Sequence, residues 1–423
     1  MTNFNKIVLE NGLRIITAPK LDSLATTVLV LVEAGSKYET KEINGLSHFL
    51  EHMCFKGTEK RPRSIDIASE LDAVGAVSNA FTSQEYTGYF AKAEPKYFDS
   101  ILDIVSDIYL HPVFETKEID KERGVIIEEI NMYEDLPMRR VHELFSTLLY
   151  GDQPAGWDIA GRKEVIQKLN RDDFIKYQQN HYLANSTLVV VAGNFDEKEA
   201  IEKIKNSFSS IKISEKTQKI ATKEHQEKPE IVLKQKDSDQ THLVLGVRVY
   251  DIFDKRKYAL EVLGEILGGG MSSRLFQKIR EEMGAAYYVG ADSDLYTDHG
   301  YLAASAGIDH NKIESVLEAI LEEFHKIARE PVEKKELQRV KDRIIGHLFL
   351  SLETSNQLAN FFGGQEILTR QIISPDEISK KIQAVTAEEI TAVAADIFKN
   401  NRLNLAIIGP FEDKTQFENI FKL

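Results

Sequence analysis

The 423-residue chain has a single cysteine, Cys54, so no intramolecular disulfide can form, and a reducing compartment is the simpler setting. It has no uninterrupted apolar run long enough to span a bilayer. Its N-terminus, MTNFNKIVLENGLRI, lacks the basic-then-apolar order of a signal peptide, which makes a cytoplasmic location the expectation. Basic residues are in deficit: 53 Lys and Arg against 67 Asp and Glu leave a net charge of −14. That balance weighs against nucleic acid or an anionic membrane surface as the main partner. Phosphate-binding loops are missing too. Gly268-Gly269-Gly270 is not followed by Lys-Ser/Thr in Walker spacing and does not keep the G-x-G-x-x-G order.

What is present fits a folded protein, with 42% hydrophobic and 9% aromatic residues, and the length calls for two or three domains. The most informative stretch is Gly45 to Thr58, GLSHFLEHMCFKGT, which contains His48-Phe49-Leu50-Glu51-His52. On a helix, residues four apart share a face, so His48 and His52 can reach one ion. Glu51 sits beside them, close enough to act on water at that ion. Two neutral imidazoles and a nearby carboxylate suit catalytic zinc if a third ligand comes from elsewhere. Two solvated surface histidines are the other reading of the pentapeptide alone. Cys54, just beyond it, reads as a small buried residue of the same helix rather than a nucleophile.

Periodicity outlines the rest. Lys6–Leu9, Asn11-Gly12 and Leu13–Thr17 read as strand, turn, strand, and Thr26–Val32 as a buried strand. Ser64–Val74, Tyr97–Ile108, Glu115–Glu134 and Ser272–Glu282 read as helices, and Val77–Ala93 as one or two strands. The chain also matches itself. Leu188–Gly193 corresponds to Asn404–Gly409 at an offset of 216, and Gly88–Ala91 to Gly300–Ala303 at an offset of 212. Near-equal offsets close to half the length imply a duplicated domain. Without strict β-α alternation, each copy is expected to be α+β, a mixed or antiparallel sheet packed with helices. The expected division is an N-terminal domain over 1–212, a charged exposed linker over 213–232 and a C-terminal domain over 233–423.

The third ligand is sought on the Glu115–Glu134 helix. Ile119, Glu122, Val125, Ile126, Glu129 and Tyr133 fall on one largely apolar stripe, whereas Glu128 falls on the polar face. A carboxylate on an apolar stripe is costly unless paired, hydrogen-bonded or bound to metal. The unmatched two-histidine site selects Glu129 as ligand and Glu122 as a supporting group. A buried pair between Glu122 and a basic residue is the plainer alternative.

GLSHFLEHMCFKGT, then NAFTSQEYTGYF, then ERGVIIEEINMYED strongly resemble the pitrilysin-type, or inverzincin, metallopeptidases. The resemblance covers nearly the full chain. It implies one Zn²⁺ per chain held by His48, His52 and Glu129, with Glu51 as general base and Glu122 supporting the site. It implies a zinc endopeptidase acting on peptides or unfolded segments in an enclosed chamber, with a catalytically silent partner or scaffold subunit as the alternative. In the second half the segment S-R-L-F…R-E-x-x-G-x-x-Y is similar to the family's substrate-contacting region and implies roles for Arg280 and Tyr287; on its own Arg280 is as readily a surface ion-pair partner. Asn79-Ala80 resembles the edge strand to which an extended substrate adds. The short family members act as dimers, and a chain retaining both the metal and the Arg/Tyr sets implies a homodimer, with a heterodimer open.

Overall fold

The computed structural model describes residues 4–423. Two compact units divide it, each built on one mixed sheet. The first sheet comprises β1 (Asn5–Val8), β2 (Arg14–Pro19), β3 (Thr26–Val32), β4 (Val77–Thr82), β5 (Thr87–Ala93) and β6 (Thr187–Gly193), in the order β1-β2-β6-β3-β5-β4. The second comprises β7 (Glu230–Gln235), β8 (Thr241–Val249), β9 (Ala286–Leu295), β10 (Gly300–Ile308) and β11 (Leu403–Gly409), in the order β7-β11-β8-β10-β9. Apart from β1 the two orders are the same. In each, only the β2–β6 or β7–β11 pair is parallel and the other pairs are antiparallel. The self-matching segments 188–193 and 404–409 are the equivalent central strands β6 and β11, buried along their whole length. Continuous β-branched runs such as TTVLVLV and TLVVVAG suit strands covered on both faces.

The units are not the contiguous halves expected from the sequence. The first takes residues up to Asn131, Trp157–Ile220 and Phe349–Ser374; the second takes Met132–Gly156, Ala221–Leu348 and Pro375–Leu423. Two helices account for the difference, Pro137–Tyr150 in the first half and Ser355–Thr369 in the second. Pro137–Tyr150 places Val141, Phe145, Leu149 and Tyr150 against Val244, Ala303, Ala406 and Ile408 of the second sheet. Ser355–Thr369 lies on the first sheet, with Gly363 close against Leu31 and Val190 and Ser355 Oγ 2.8 Å from Thr27 Oγ1. A buried ion cluster fastens it there: Arg14 Nη1 lies 3.4 Å from Glu366 Oε1, and Arg14 Nη2 lies 2.7 Å from Glu33 Oε1. Periodicity shows which face of a helix is apolar, not which sheet receives it.

The expected linker is also corrected. Glu230–Gln235 is strand β7, paired in parallel with β11, so ordered sheet begins before residue 233. Upstream, Lys216 pairs with Glu33 and Lys219 with Glu85, which pins this segment to the first unit. Among the described residues no helix is long and apolar enough to cross a membrane.

Candidate metal centre

Helix α1 (Leu46–Met53) buries Leu46, Phe49, Leu50 and Met53 in the core of the first unit. Each large apolar side chain so buried contributes about 1.5–3 kcal/mol, which fixes the helix's rotation. His48 and His52, one turn apart, then share the remaining face, with ring centroids 4.7 Å apart. Helix α2 (Thr116–Asp135) supplies Glu129, whose Oε2 lies 3.6 Å from His48 Nε2 and 3.7 Å from His52 Nε2. Among the described residues these three form the one group of His, Cys, Asp or Glu side chains gathered closely enough for a metal ion. Ligand atoms around tetrahedral zinc are about 3.4 Å apart, given bonds of about 2.0–2.2 Å, so the set fits zinc.

The surroundings orient these groups. Glu122 Oε1 lies 2.9 Å from His52 Nδ1, leaving Nε2 of that ring to face Glu129, and its Oε2 lies 2.6 Å from Lys56 Nζ. Burial alone would raise the Glu122 carboxyl's pKa, but the contacts with His52 and Lys56 outweigh it and hold it below the ordinary carboxylate value. Burial likewise pulls His52 down, while its bond to Glu122 and the charges of Glu51, Glu129 and Glu122 lift it above the usual imidazole value. Glu51 is buried, and its Oε2 accepts a 2.6 Å hydrogen bond from Thr82 Oγ1 on β4. Burial raises its pKa, with the Glu129 charge adding to the rise and Thr82 and His52 opposing it.

On α2 the buried set is Ile119, Glu122, Ile126 and Ile130, while Val125 is half exposed. Val125 therefore leaves the stripe expected for it, because 100° per residue carries position 125 past the edge of the buried face. Glu128 is exposed and accepts from Asn131 Nδ2 at 3.3 Å. Cys54 is buried beside the Tyr89 hydroxyl, and burial pushes its thiol up to about 12, which removes it as a nucleophile. Asn79 and Ala80 lie on β4, the edge strand of the first sheet.

Arg280 and Tyr287 belong to the second unit. Arg280 Nη1 donates a 2.7 Å hydrogen bond to the Tyr287 carbonyl, and the Tyr287 side chain is 74% exposed. Arg280 sits within the helix expected there, whose Phe276–Glu282 part is wound as a π-helix, with Met283 N–H reaching back to Lys278 O at 3.1 Å. The second unit's Lys257–Gly268 helix carries Glu261 and Glu265 at the same one-turn spacing as the histidines, but Glu265 is engaged by Arg343 at 2.5 Å. Gly268 is there for close approach, since a Cβ would lie 1.9 Å from the backbone N of Ala291 on β9. Sequence reasoning passed over Lys56, Thr82 and Glu39. Lys56 follows His52 at helical spacing, while Thr82 and Glu39 reach the site only through the fold.

Two family models match the chain: "Insulinase (Peptidase family M16)" over residues 14–163 and "Peptidase M16 inactive domain" over residues 168–344. An "Uncharacterized zinc protease YmxG" of Bacillus subtilis is 36% identical over 95% of this chain and 97% of its own length. An "Uncharacterized zinc protease" of Streptomyces coelicolor is 33% identical over 97% of this chain and 90% of its own. Among solved structures, a Helicobacter pylori protease superposes with a TM-score of 0.91 at 23% identity, covering 97% of this chain and all of the other. A peptidase M16 inactive domain from Pseudomonas fluorescens superposes with a TM-score of 0.90 at 16% identity over 98% of this chain and all of the other.

Proposed function

The chain belongs to the insulinase family of peptidases, M16, and on that premise we propose that it is a zinc-dependent endopeptidase of peptides or unfolded segments. The observation that carries this is the convergence of His48, His52 and Glu129, with the buried Glu51 carboxylate one residue before His52. A silent partner subunit would not need this complete donor set.

His48, His52 and Glu129 would hold the ion, which when bound supplies Lewis-acid polarisation of a carbonyl and acidifies water. Glu51 accepts a proton from the attacking water and returns one to the leaving amine, a transfer worth about 10²–10⁴-fold. Its raised pKa brings it nearer to neutrality, which suits that exchange. Glu122 keeps the His52 ring in the tautomer that points Nε2 at the ion. An extended substrate would add to β4 beside Asn79 and Ala80, reading backbone more than side chain. Arg280 and Tyr287 would hydrogen-bond the substrate carbonyl, supplied by a second copy of the chain in a homodimer.

Metal analysis of the purified protein, combined with cleavage mapping on a mixture of unstructured peptides, tests the reading. One zinc per chain with internal cleavage is expected, and Glu51→Gln should keep the zinc and lose the cleavage. A metal-free protein, or a Glu51→Gln variant cutting at the normal rate, would overturn it.

A further inference from the structure

The helix that carries both histidines begins without a cap of its own. Its N-cap residue, Gly45, is in the left-handed region at φ 97° and has no side chain to offer the first-turn N–H groups. Glu39, six residues upstream and fully buried, supplies the acceptors instead. Its Oε2 accepts from Gly45 N–H at 2.8 Å and from Asn44 Nδ2 at 3.1 Å, and its Oε1 accepts from Ser47 N–H at 2.7 Å. All three donors are neutral, and among the described residues no basic side chain pairs with Glu39. A buried carboxylate without a counter-charge is costly, and the positive end of a helix is the feature here that favours its charge. Ser47, the residue it grips, directly precedes His48.

The same turn is fastened from its other side. Gly45 and Gly161 approach so closely that a Cβ on Gly45 would lie 2.7 Å from Ala160 O, and one on Gly161 would lie 2.4 Å from Asn44 O. Asn44 Nδ2 also donates to Asp158 O at 3.1 Å, and Ser47 Oγ lies 2.6 Å from the Tyr177 hydroxyl.

We propose that Glu39 is a positioning residue of the metal centre: its carboxylate grips the first turn of α1, sets where that helix starts, and so holds the turn that presents His48 to the point His52 also faces. The assignment rests on the metal-centre reading above. Burial, opposed by the bonds from Ser47, Gly45 and Asn44, raises the Glu39 carboxyl to about 7, so the grip depends on charge near neutral pH. Tyr177, whose hydroxyl meets Ser47 Oγ, faces it with a phenol that burial and the Glu39 charge hold neutral.

The test is zinc affinity, by competition with a chromophoric chelator, for wild type and Glu39→Gln at pH 8 and pH 6. Glu39→Gln should weaken zinc binding about 10- to 100-fold at pH 8, the range for groups that orient a metal ligand. The gap should shrink at pH 6, where the wild-type carboxyl is itself largely protonated; a merely structural role would leave the gap unchanged with pH. Equal affinities at pH 8, or a gap independent of pH, would overturn the proposal. If Glu39→Gln does not fold, Glu39→Asp replaces it, and a folded Asp variant with wild-type affinity overturns the proposal equally. A wild-type protein that binds no zinc would instead count against the metal centre itself.

Discussion

Thr82 on the edge strand donates a 2.6 Å hydrogen bond to Glu51 on the histidine helix, which ties the candidate general base to the strand where substrate would lie. That bond opposes the rise in the Glu51 pKa caused by burial. Thr82→Val should therefore raise the Glu51 pKa further and move the acid limb of kcat/KM to higher pH. A pH–rate profile superimposable on wild type would show that Thr82 does not tune the base.

Glu122 bridges His52 and Lys56 and has no direct place in the three-atom donor set. Replacing it by Gln should lower zinc affinity about 10- to 100-fold while leaving the fold intact. Circular dichroism with a zinc titration separates the two effects, and unchanged affinity would assign Glu122 to the ion pair with Lys56 alone.

His181 is buried against Tyr177, with ring centroids 4.3 Å apart, and burial lowers its pKa from 6.5 to about 4. The unfolded chain therefore takes up this proton first. Stability is full above pH 6.5 and falls as the pH drops toward 4, by about 3 kcal/mol in all at 1.36 kcal/mol per unit. In His181→Gln this part of the acid loss should disappear, as read by urea denaturation of the metal-free protein between pH 4 and 7. An unaltered slope would place the acid sensitivity elsewhere.

Glu366 is wholly buried, with Arg14 on one oxygen and Lys6 on the other at 2.7 Å. Glu366→Ala leaves the buried Arg14 guanidinium with Glu33 but takes away its second carboxylate and that of Lys6, and should cost about 1–3 kcal/mol. Pairing Arg14→Met with Glu366→Leu should recover most of that loss. A single variant that melts within a degree of wild type would show the cluster to be solvated.

His48, Glu51 and His52 were readable in the sequence because the local spacing of one short helix brings them together. Glu129 was separable from Glu128 because α2 is long enough for its buried face to show, although Val125 at the edge of that face was misplaced. The repeat was readable because β6 and β11 keep the same buried pattern at a fixed offset. Glu39 and Thr82 were not, since neither has a periodic relation to α1 and each arrives through the path of the chain. Strand β7 was hidden by the Lys and Glu residues around it, its pairing with β11 being a contact 174 residues away, from Glu230 to Asn404.

Helix Ser355–Thr369, fixed to the first sheet, is made long after that sheet's last strand, β6, ends at Gly193. During synthesis the face it covers stays open while some 160 further residues are added. The first unit therefore cannot close co-translationally as an early, self-sufficient piece, and its completion waits for the far end of the chain. A fragment ending near residue 220 would carry both histidines and Glu129, yet would present a bare apolar sheet face, and its natural fate is aggregation.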